Sequence, residues 1–179
     1  MKLLRTIRLD PSDTFVFERA ADPGEWAVSG AFIFAHADPD ALHGKSRAAF
    51  RGGFLGVASL GWSTLVQIVE ASEADRDALV GTLGRQLHER LGAPDLAAAR
   101  AAAEEEVAFT ASLCDHPRDT LIAVRRTFED GAIREAFRTL HPRGTRKPMR
   151  AFSFVEVENE EEAHEDVNLL ALAQHKQTD

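Results

Sequence analysis

The residues of this chain best suited to chemistry are arginines that cluster near one predicted β-hairpin. Residues 125–150 carry eight Arg or Lys side chains against three acids, whereas residues 151–179 carry eight acids against one Lys. Guanidinium groups bind carboxylates and phosphates through paired N–H donors. The charge reversal therefore indicates a site for a small anion or an acidic partner.

The hairpin is predicted from Asp130-Gly131, which stands between two runs of alternating character. A two-residue loop there would place Arg126 opposite Glu135 on a mostly apolar side. Side-chain alternation would gather three other arginines on the opposite side, and the basic stretch that follows would extend their surface. The candidate ligand- or partner-binding residues are Arg125, Arg134, Arg138, His141, Arg143 and Arg146.

Two structural interpretations of these charges stay open beside the functional one. Charge runs usually form solvated faces, so the hairpin could simply present its arginines to water. Alternatively, the acidic segment 156–166 could fold back and neutralise them. If the acidic tail of one subunit met the hairpin of another, the same charges would favour a salt-sensitive homodimer.

A second candidate site lies in the long connection 36–61, because His36, Asp38, Asp40 and His43 are residue types that bind zinc and other divalent metals. Their spacing matches no metal motif, and turn or helix-cap roles explain them equally well. This connection supports an alternative hypothesis of a small-molecule enzyme, with or without a metal. No cofactor is predicted.

Sequence signatures of common catalytic sites fail at particular positions. Pro39 stands where a phosphate-binding loop before Lys45 needs glycine, and Val57 stands where a nucleophile elbow at Ser59 needs glycine. Cys114 is predicted to end a helix, where the helix dipole disfavours a thiolate, so a buried and inert thiol is expected. The sequence therefore favours a non-catalytic protein and leaves enzymatic activity open.

The elements that would position these residues predict an α+β fold. Apolar runs at 3–9, 14–19, 26–35 and 62–70 are typical of strands, with a short hairpin loop at 20–25 and a short helix around 40–50. Helices are expected over 73–91 and 95–115. Together with the later hairpin and a strand from 151, they predict an antiparallel sheet of about six or seven strands with the helix pair packed on one face.

Length and composition predict one domain over residues 1–157, followed by an acidic tail, 158–179, that could form a C-terminal helix. The chain has 179 residues, 44% of them hydrophobic, and a net charge of −8. This charge argues against a general nucleic-acid surface. No apolar run reaches the roughly 18 residues of a membrane span, and one cysteine permits no internal disulfide. We expect a soluble, cytoplasmic protein.

Three stretches resemble a small uncharacterised bacterial family of unknown function. These are FLGVASLGWSTLVQIVEAS, APDLAAARAAAEEEVAFTASLCDHP and RTFEDGAIREAF. The resemblance covers most of the chain and implies no activity, cofactor or functional residue. The leading hypothesis is thus a non-catalytic binding or accessory module that contacts a protein partner or small anionic ligand through the hairpin arginines, the acidic tail, or both.

Overall fold

The fold is built on one antiparallel sheet, seen in a computed structural model that describes residues 1–142 and 155–157. The strands are β1 (Lys2–Ile7), β2 (Trp26–Val28), β3 (Phe54–Gly56), β4 (Trp62–Ser63), β5 (Leu65–Glu70), β6 (Leu121–Glu129), β7 (Ala132–Pro142) and β8 (Val155–Val157). Their order in the sheet is β4-β3-β2-β1-β5-β6-β7-β8. All neighbouring pairs of these strands are antiparallel, so the predicted α+β class is confirmed.

Four α-helices accompany the sheet in the described part of the chain. They are α1 (Ser12–Val16), α2 (Gly44–Gly52), α3 (Glu73–Arg90) and α4 (Leu96–Ser112). The side chains of Ser72 and Asp95 accept hydrogen bonds from backbone N–H groups at the starts of α3 and α4. The C-terminal helix proposed for residues 158–179 lies outside the described residues.

Within residues 1–142 and 155–157 the sheet has eight strands, close to the six or seven expected. The run 62–70 is divided at Thr64 into β4 and β5, and β3 forms within the glycine-containing connection. Each extra strand is only two or three residues long. Such short strands carry too few alternating residues for a pattern to reveal them.

The prediction of a strand over 14–19 was wrong, because residues 12–16 form α1. Asp13 is buried, and its carboxylate accepts hydrogen bonds from the Thr64 backbone N–H at 3.2 Å and hydroxyl at 2.5 Å. This contact with a segment fifty-one residues away outweighs the local strand preference. The loop 20–25 therefore joins no pair of adjacent strands in a hairpin, and β2 pairs with β1.

The predicted strand over 26–35 was correct only as far as Val28. Gly30 has a φ of 80°, which lies in the left-handed region and ends the extended conformation. Residues 31–34 then form a short 3-10 helix, and residues 39–41 form another. The chain beyond β2 therefore forms short helical segments, and these pack beside the later hairpin.

The sheet is buried on both sides at its centre. Leu3 and Leu4 are consecutive in β1, so they point to opposite faces, yet neither is exposed to solvent. Leu3 belongs to a core cluster with apolar residues of α3 and α4, and Leu4 belongs to a second cluster with Phe54. The ring of Phe54 in β3 lies 6.1 Å from that of Phe137 in β7, although four strands separate them in the sheet. The sheet is therefore strongly curled.

None of the helices in the described residues is both long enough and apolar enough to cross a lipid bilayer.

Candidate functional site

The hairpin β6–β7 forms the frame of the candidate site. Asp130 and Gly131 both have positive φ, at 52° and 78°, as the two-residue type I′ hairpin turn requires. The observed register pairs Arg126 with Glu135 and Arg125 with Ala136, as the sequence predicted. The position of the turn residues therefore determined which arginines share a side.

Three arginines form an exposed surface on one side of this hairpin. Arg125, Arg134 and Arg138 are all exposed, and we refer to them as the basic face. Arg125 lies opposite Ala136 and therefore diagonally between the other two arginines. The Cα atoms of diagonal neighbours on paired strands are typically roughly 7–8 Å apart. Among the residues that the structure describes, none of the three takes part in an ion pair. The basic face thus concentrates positive charge on regular strand structure.

The remaining predicted binding residues are described only in part. His141 lies near the end of β7, where its backbone pairs with Glu156 of β8. Arg143 and Arg146 lie outside the described residues. Of the acidic segment 156–166, only positions 156 and 157 are described, and they pair with the last part of β7. The predicted neutralisation of the basic face by this segment therefore stays a prediction.

The other side of the hairpin carries a fully buried arginine. Arg126 is 1% exposed, and its Nε donates to Glu135 Oε1 at 2.7 Å. Its Nη1 donates to the carbonyl oxygens of Phe50 at 3.1 Å and Gly53 at 2.7 Å. Its Nη2 donates to the carbonyl and to the hydroxyl of Ser29. The guanidinium thereby joins the hairpin to β2 and to the carbonyl end of α2, where the helix dipole favours a cation.

Two partly buried carboxylates complete this group, which we call the polar cluster: Ser29, Glu106, Arg126 and Glu135. The Ser29 hydroxyl donates to Glu135 Oε1 at 2.5 Å, and Glu106 Oε1 accepts from the Gly30 N–H at 3.1 Å. Burial raises the pKa of Glu106, and the nearby Glu135 carboxylate raises it further against the opposing effect of the Gly30 hydrogen bond. Because all the guanidinium nitrogens of Arg126 bond within the protein, the cluster positions elements and offers no arginine donor to a ligand.

A groove lies between the tip of the hairpin and the segment 31–51. It consists of two adjoining cavities of about 530 Å³ and 500 Å³, and Pro39 and Phe128 line both of them. We call the larger the apolar cavity, since its walls include Phe32, Ala35 and Ile133. The smaller, which we call the cationic cavity, is lined by polar and charged residues together with apolar ones. These residues are Asp40, Leu42, His43, Arg47, Phe50, Arg51, Arg126 and Thr127.

The chain matches the sequence model of a known family. The sequence model of DUF6505, a family of unknown function, matches residues 1–154. The chain belongs to the DUF6505 family. The DUF6505 match covers strands β1 to β7 and the four helices but assigns them no activity. Searches of curated proteins and of solved structures gave no significant match to this DUF6505 chain.

The structure of this DUF6505 member places all four candidate metal ligands on the surface. His36, Asp38, Asp40 and His43 are exposed, and Asp38 Oδ1 accepts a hydrogen bond from the Asp40 N–H at 3.0 Å, which is a turn-stabilising contact. Within residues 1–142 and 155–157, no group of three or more His, Cys, Asp or Glu side chains could hold a metal ion. Asp40 and His43 instead line the cationic cavity.

Cys114 of this DUF6505 chain is buried and only 2% exposed. Burial raises the pKa of its thiol to about 11, against a smaller lowering by Lys2. Because the thiolate is the reactive form, this thiol is a poor nucleophile in the folded protein. The expectation of a buried cysteine is confirmed.

Sequence reasoning missed the groove and most of the polar cluster in this DUF6505 chain. One signal for the groove was present, since His43, Arg47 and Arg51 are spaced by four residues, a spacing that places helical side chains on one face. A signal for the burial of Arg126 was also present, because the hairpin register puts it on the side of Ile122 and Val124. Nothing local to Ser29 or Glu106 pointed to their roles.

Proposed function

We propose that this protein is a non-catalytic binding module whose basic face receives an acidic segment of a protein partner. The observation that carries the proposal is the cluster of Arg125, Arg134 and Arg138, exposed together on the regular ladder of β6 and β7. Guanidinium groups at fixed spacing recognise carboxylates through paired hydrogen bonds. The partner is therefore a segment rich in Asp and Glu.

The layout of the basic face suits an extended segment better than a small anion. Arg134 and Arg138 are four residues apart on one strand, a span of about 13 Å, and Arg125 lies between them on the neighbouring strand. None of the three lines either cavity of the groove. Carboxylates distributed along a peptide could contact all three arginines, whereas a single small anion would contact only part of the surface.

The acidic residues of a second copy of the chain offer one partner of this chemistry. Segment 156–166 carries seven acids, and a contact between this segment and the basic face of another subunit would produce a homodimer. Such a contact between exposed charges would weaken as salt screens them. Sizing chromatography across ionic strength, with and without residues 158–179, distinguishes self-association from binding to a different protein.

The proposal predicts that neutralising the basic face weakens binding of an acidic peptide. The probe is a fluorescently labelled oligoglutamate, and fluorescence anisotropy measures its affinity. The double variant Arg134→Gln/Arg138→Gln should lose roughly fivefold to tenfold in affinity, as expected when two exposed charge pairs are removed. The affinity of the unmodified protein should fall as salt increases.

The matched control is Arg85→Gln/Arg90→Gln, which removes two exposed arginines from α3. It should leave oligoglutamate binding close to that of the unmodified protein. An equal loss in the control and in the double variant would mean that net charge alone drives binding. That result, or an unchanged affinity in the double variant, would contradict the proposal.

A further inference from the structure

We infer that the groove between the hairpin tip and segment 31–51 is a second site, which binds an amphipathic anion: an apolar chain with a carboxylate or phosphate head group. The groove joins the apolar cavity to the cationic cavity, and each has a volume of about 500 Å³. Small-molecule sites typically measure about 300–1,000 Å³. The groove is thus large enough for one compound that occupies both cavities.

The cationic cavity provides the contacts for the head group. Arg47 and Arg51 are one helical turn apart on α2, so both side chains lie on the face that borders the cavity. Both are exposed and, within the described residues, neither takes part in an ion pair. His43 lines the same cavity, and Asp40 is the one acid among the described residues that line it. The two guanidinium groups can therefore bind a carboxylate or phosphate directly.

Arg126 positions the elements that line the cationic cavity and does not bind the ligand itself. Its guanidinium is bonded to Glu135, Ser29 and the carbonyl oxygens near the end of α2. These bonds hold the hairpin against α2, and α2 carries Arg47 and Arg51. The polar cluster thereby joins the two walls of the groove.

The apolar cavity provides the contacts for the chain of the ligand. Phe32, Ala35 and Ile133 form part of its walls, and Asp130 is the one charged residue among the described residues that line it. An anionic head would be repelled by the Asp130 carboxylate and attracted by the arginines of α2. The charges at the two ends therefore fix the direction in which an amphipathic anion lies.

Phe128, which stacks on the buried ring of Phe50, connects the two cavities. The rings of Phe50 and Phe128 are stacked, with centroids 4.4 Å apart and planes inclined by 9°. Phe128 lines both cavities, and Phe50 lines the cationic one. A ligand chain can thus pass from one cavity to the other over apolar surface, with its burial contributing to affinity.

Decanoate, decanol and acetate test this inference on the full chain. Isothermal titration calorimetry below the micellar concentration should show decanoate binding roughly tenfold or more tightly than either decanol or acetate, since each of these lacks one half of the recognised chemistry. Decyl phosphate, measured beside decanoate, identifies the head group as phosphate or carboxylate according to which binds more tightly. Equal affinity for decanol and decanoate would overturn the inference.

Variants of exposed residues locate the site. Arg47→Gln/Arg51→Gln should reduce decanoate affinity roughly tenfold, to that of decanol, while Ala35→Phe should block the apolar cavity and reduce it similarly. Arg85→Gln/Arg90→Gln, which removes the same number of exposed charges, is the control and should bind decanoate normally. Unchanged decanoate binding in both test variants would show that the groove is not the site.

The result is separable from that for the basic face. Arg47→Gln/Arg51→Gln should bind oligoglutamate normally, and Arg134→Gln/Arg138→Gln should bind decanoate normally, because the two sets of arginines lie on different surfaces. Loss of both ligands in both variants would contradict the presence of two sites.

Discussion

The carboxylate of Glu106 is partly buried and lies near the carboxylate of Glu135. Its raised pKa means that the folded state holds a proton more tightly than the unfolded state does. This group therefore lowers the free energy of unfolding as pH rises from the ordinary Glu value of 4.5 through the higher folded-state value. Stability from this group is fully present only in acid.

Glu106→Gln should remove this pH dependence. The amide oxygen can still accept the Gly30 N–H, while the charge and its repulsion from Glu135 disappear. The variant should be more stable than the unmodified protein at neutral and mildly alkaline pH, and this gain should shrink toward acid. Urea unfolding at several pH values measures the difference.

Glu105→Gln, on the neighbouring exposed position of α4, is the matched control. It should give a pH profile parallel to that of the unmodified protein. A Glu106→Gln variant that is equally destabilised at every pH would show that repulsion from Glu135 and burial do not govern the charge of Glu106.

At the same scale, Arg126 shows how far local patterns can predict a buried charge. Turn chemistry predicted its pairing with Glu135, and alternation placed it beside apolar neighbours. Its acceptors at Ser29, Phe50 and Gly53 are 73–97 residues away in sequence. No local pattern encodes such contacts, because they depend on how the sheet curls.

At the scale of the elements, two glycines make opposite demands. Gly81 lies inside α3, and a Cβ added there would meet no atom within 4 Å. Gly81→Ala should therefore stabilise the protein by about 0.5–1 kcal/mol, because alanine favours the helix and loses less backbone freedom on folding. Thermal unfolding followed by circular dichroism measures the gain as a higher Tm.

Gly61 is the contrasting position, because a side chain there has no free space. A Cβ at Gly61 would lie 2.6 Å from the Ala21 backbone nitrogen and 2.7 Å from the Ala20 carbonyl oxygen. Since backbone atoms cannot move aside cheaply, Gly61→Ala should lower the Tm. If both variants destabilised the protein alike, loss of flexibility and not steric space would be the common cause.

The elements also differ in how well sequence predicts them. The pair α3 and α4 is evident because each helix has a capping residue, α3 carries leucines at spacing four, and α4 is rich in alanine. The strand expected over 14–19 failed because Asp13 is held by Thr64, which lies far away in the chain. Long periodic segments were therefore predictable, whereas short segments fixed by distant contacts were not.

At the scale of the whole molecule, Cys114 can report global opening. Its Sγ donates to the Thr110 carbonyl oxygen at 3.4 Å, and it belongs to the core cluster that contains Leu4 and Phe54. With a pKa of about 11, roughly one thiol in a thousand is ionised at about pH 8. Both burial and protonation protect it.

A thiol reagent such as DTNB should therefore label the folded protein at least about a hundredfold more slowly than the urea-unfolded chain. Absorbance of the released thiolate follows the reaction. Labelling should accelerate with urea in parallel with loss of structure. Rapid labelling of the native protein would show that the end of α4 opens independently of the core.

The order of the strands in the sheet also affects how the protein folds during its synthesis. Strands β1 to β5 are neighbours in the order β4-β3-β2-β1-β5, and β6, β7 and β8 then follow one after another at a single edge. On a ribosome, the first half of the sheet can thus assemble before the hairpin is synthesised. Until then β5 is an open edge, and an unpaired strand edge is where aggregation begins. The long helices α3 and α4 separate β5 from β6 in sequence, so the interval of exposure is set by the time needed to translate them.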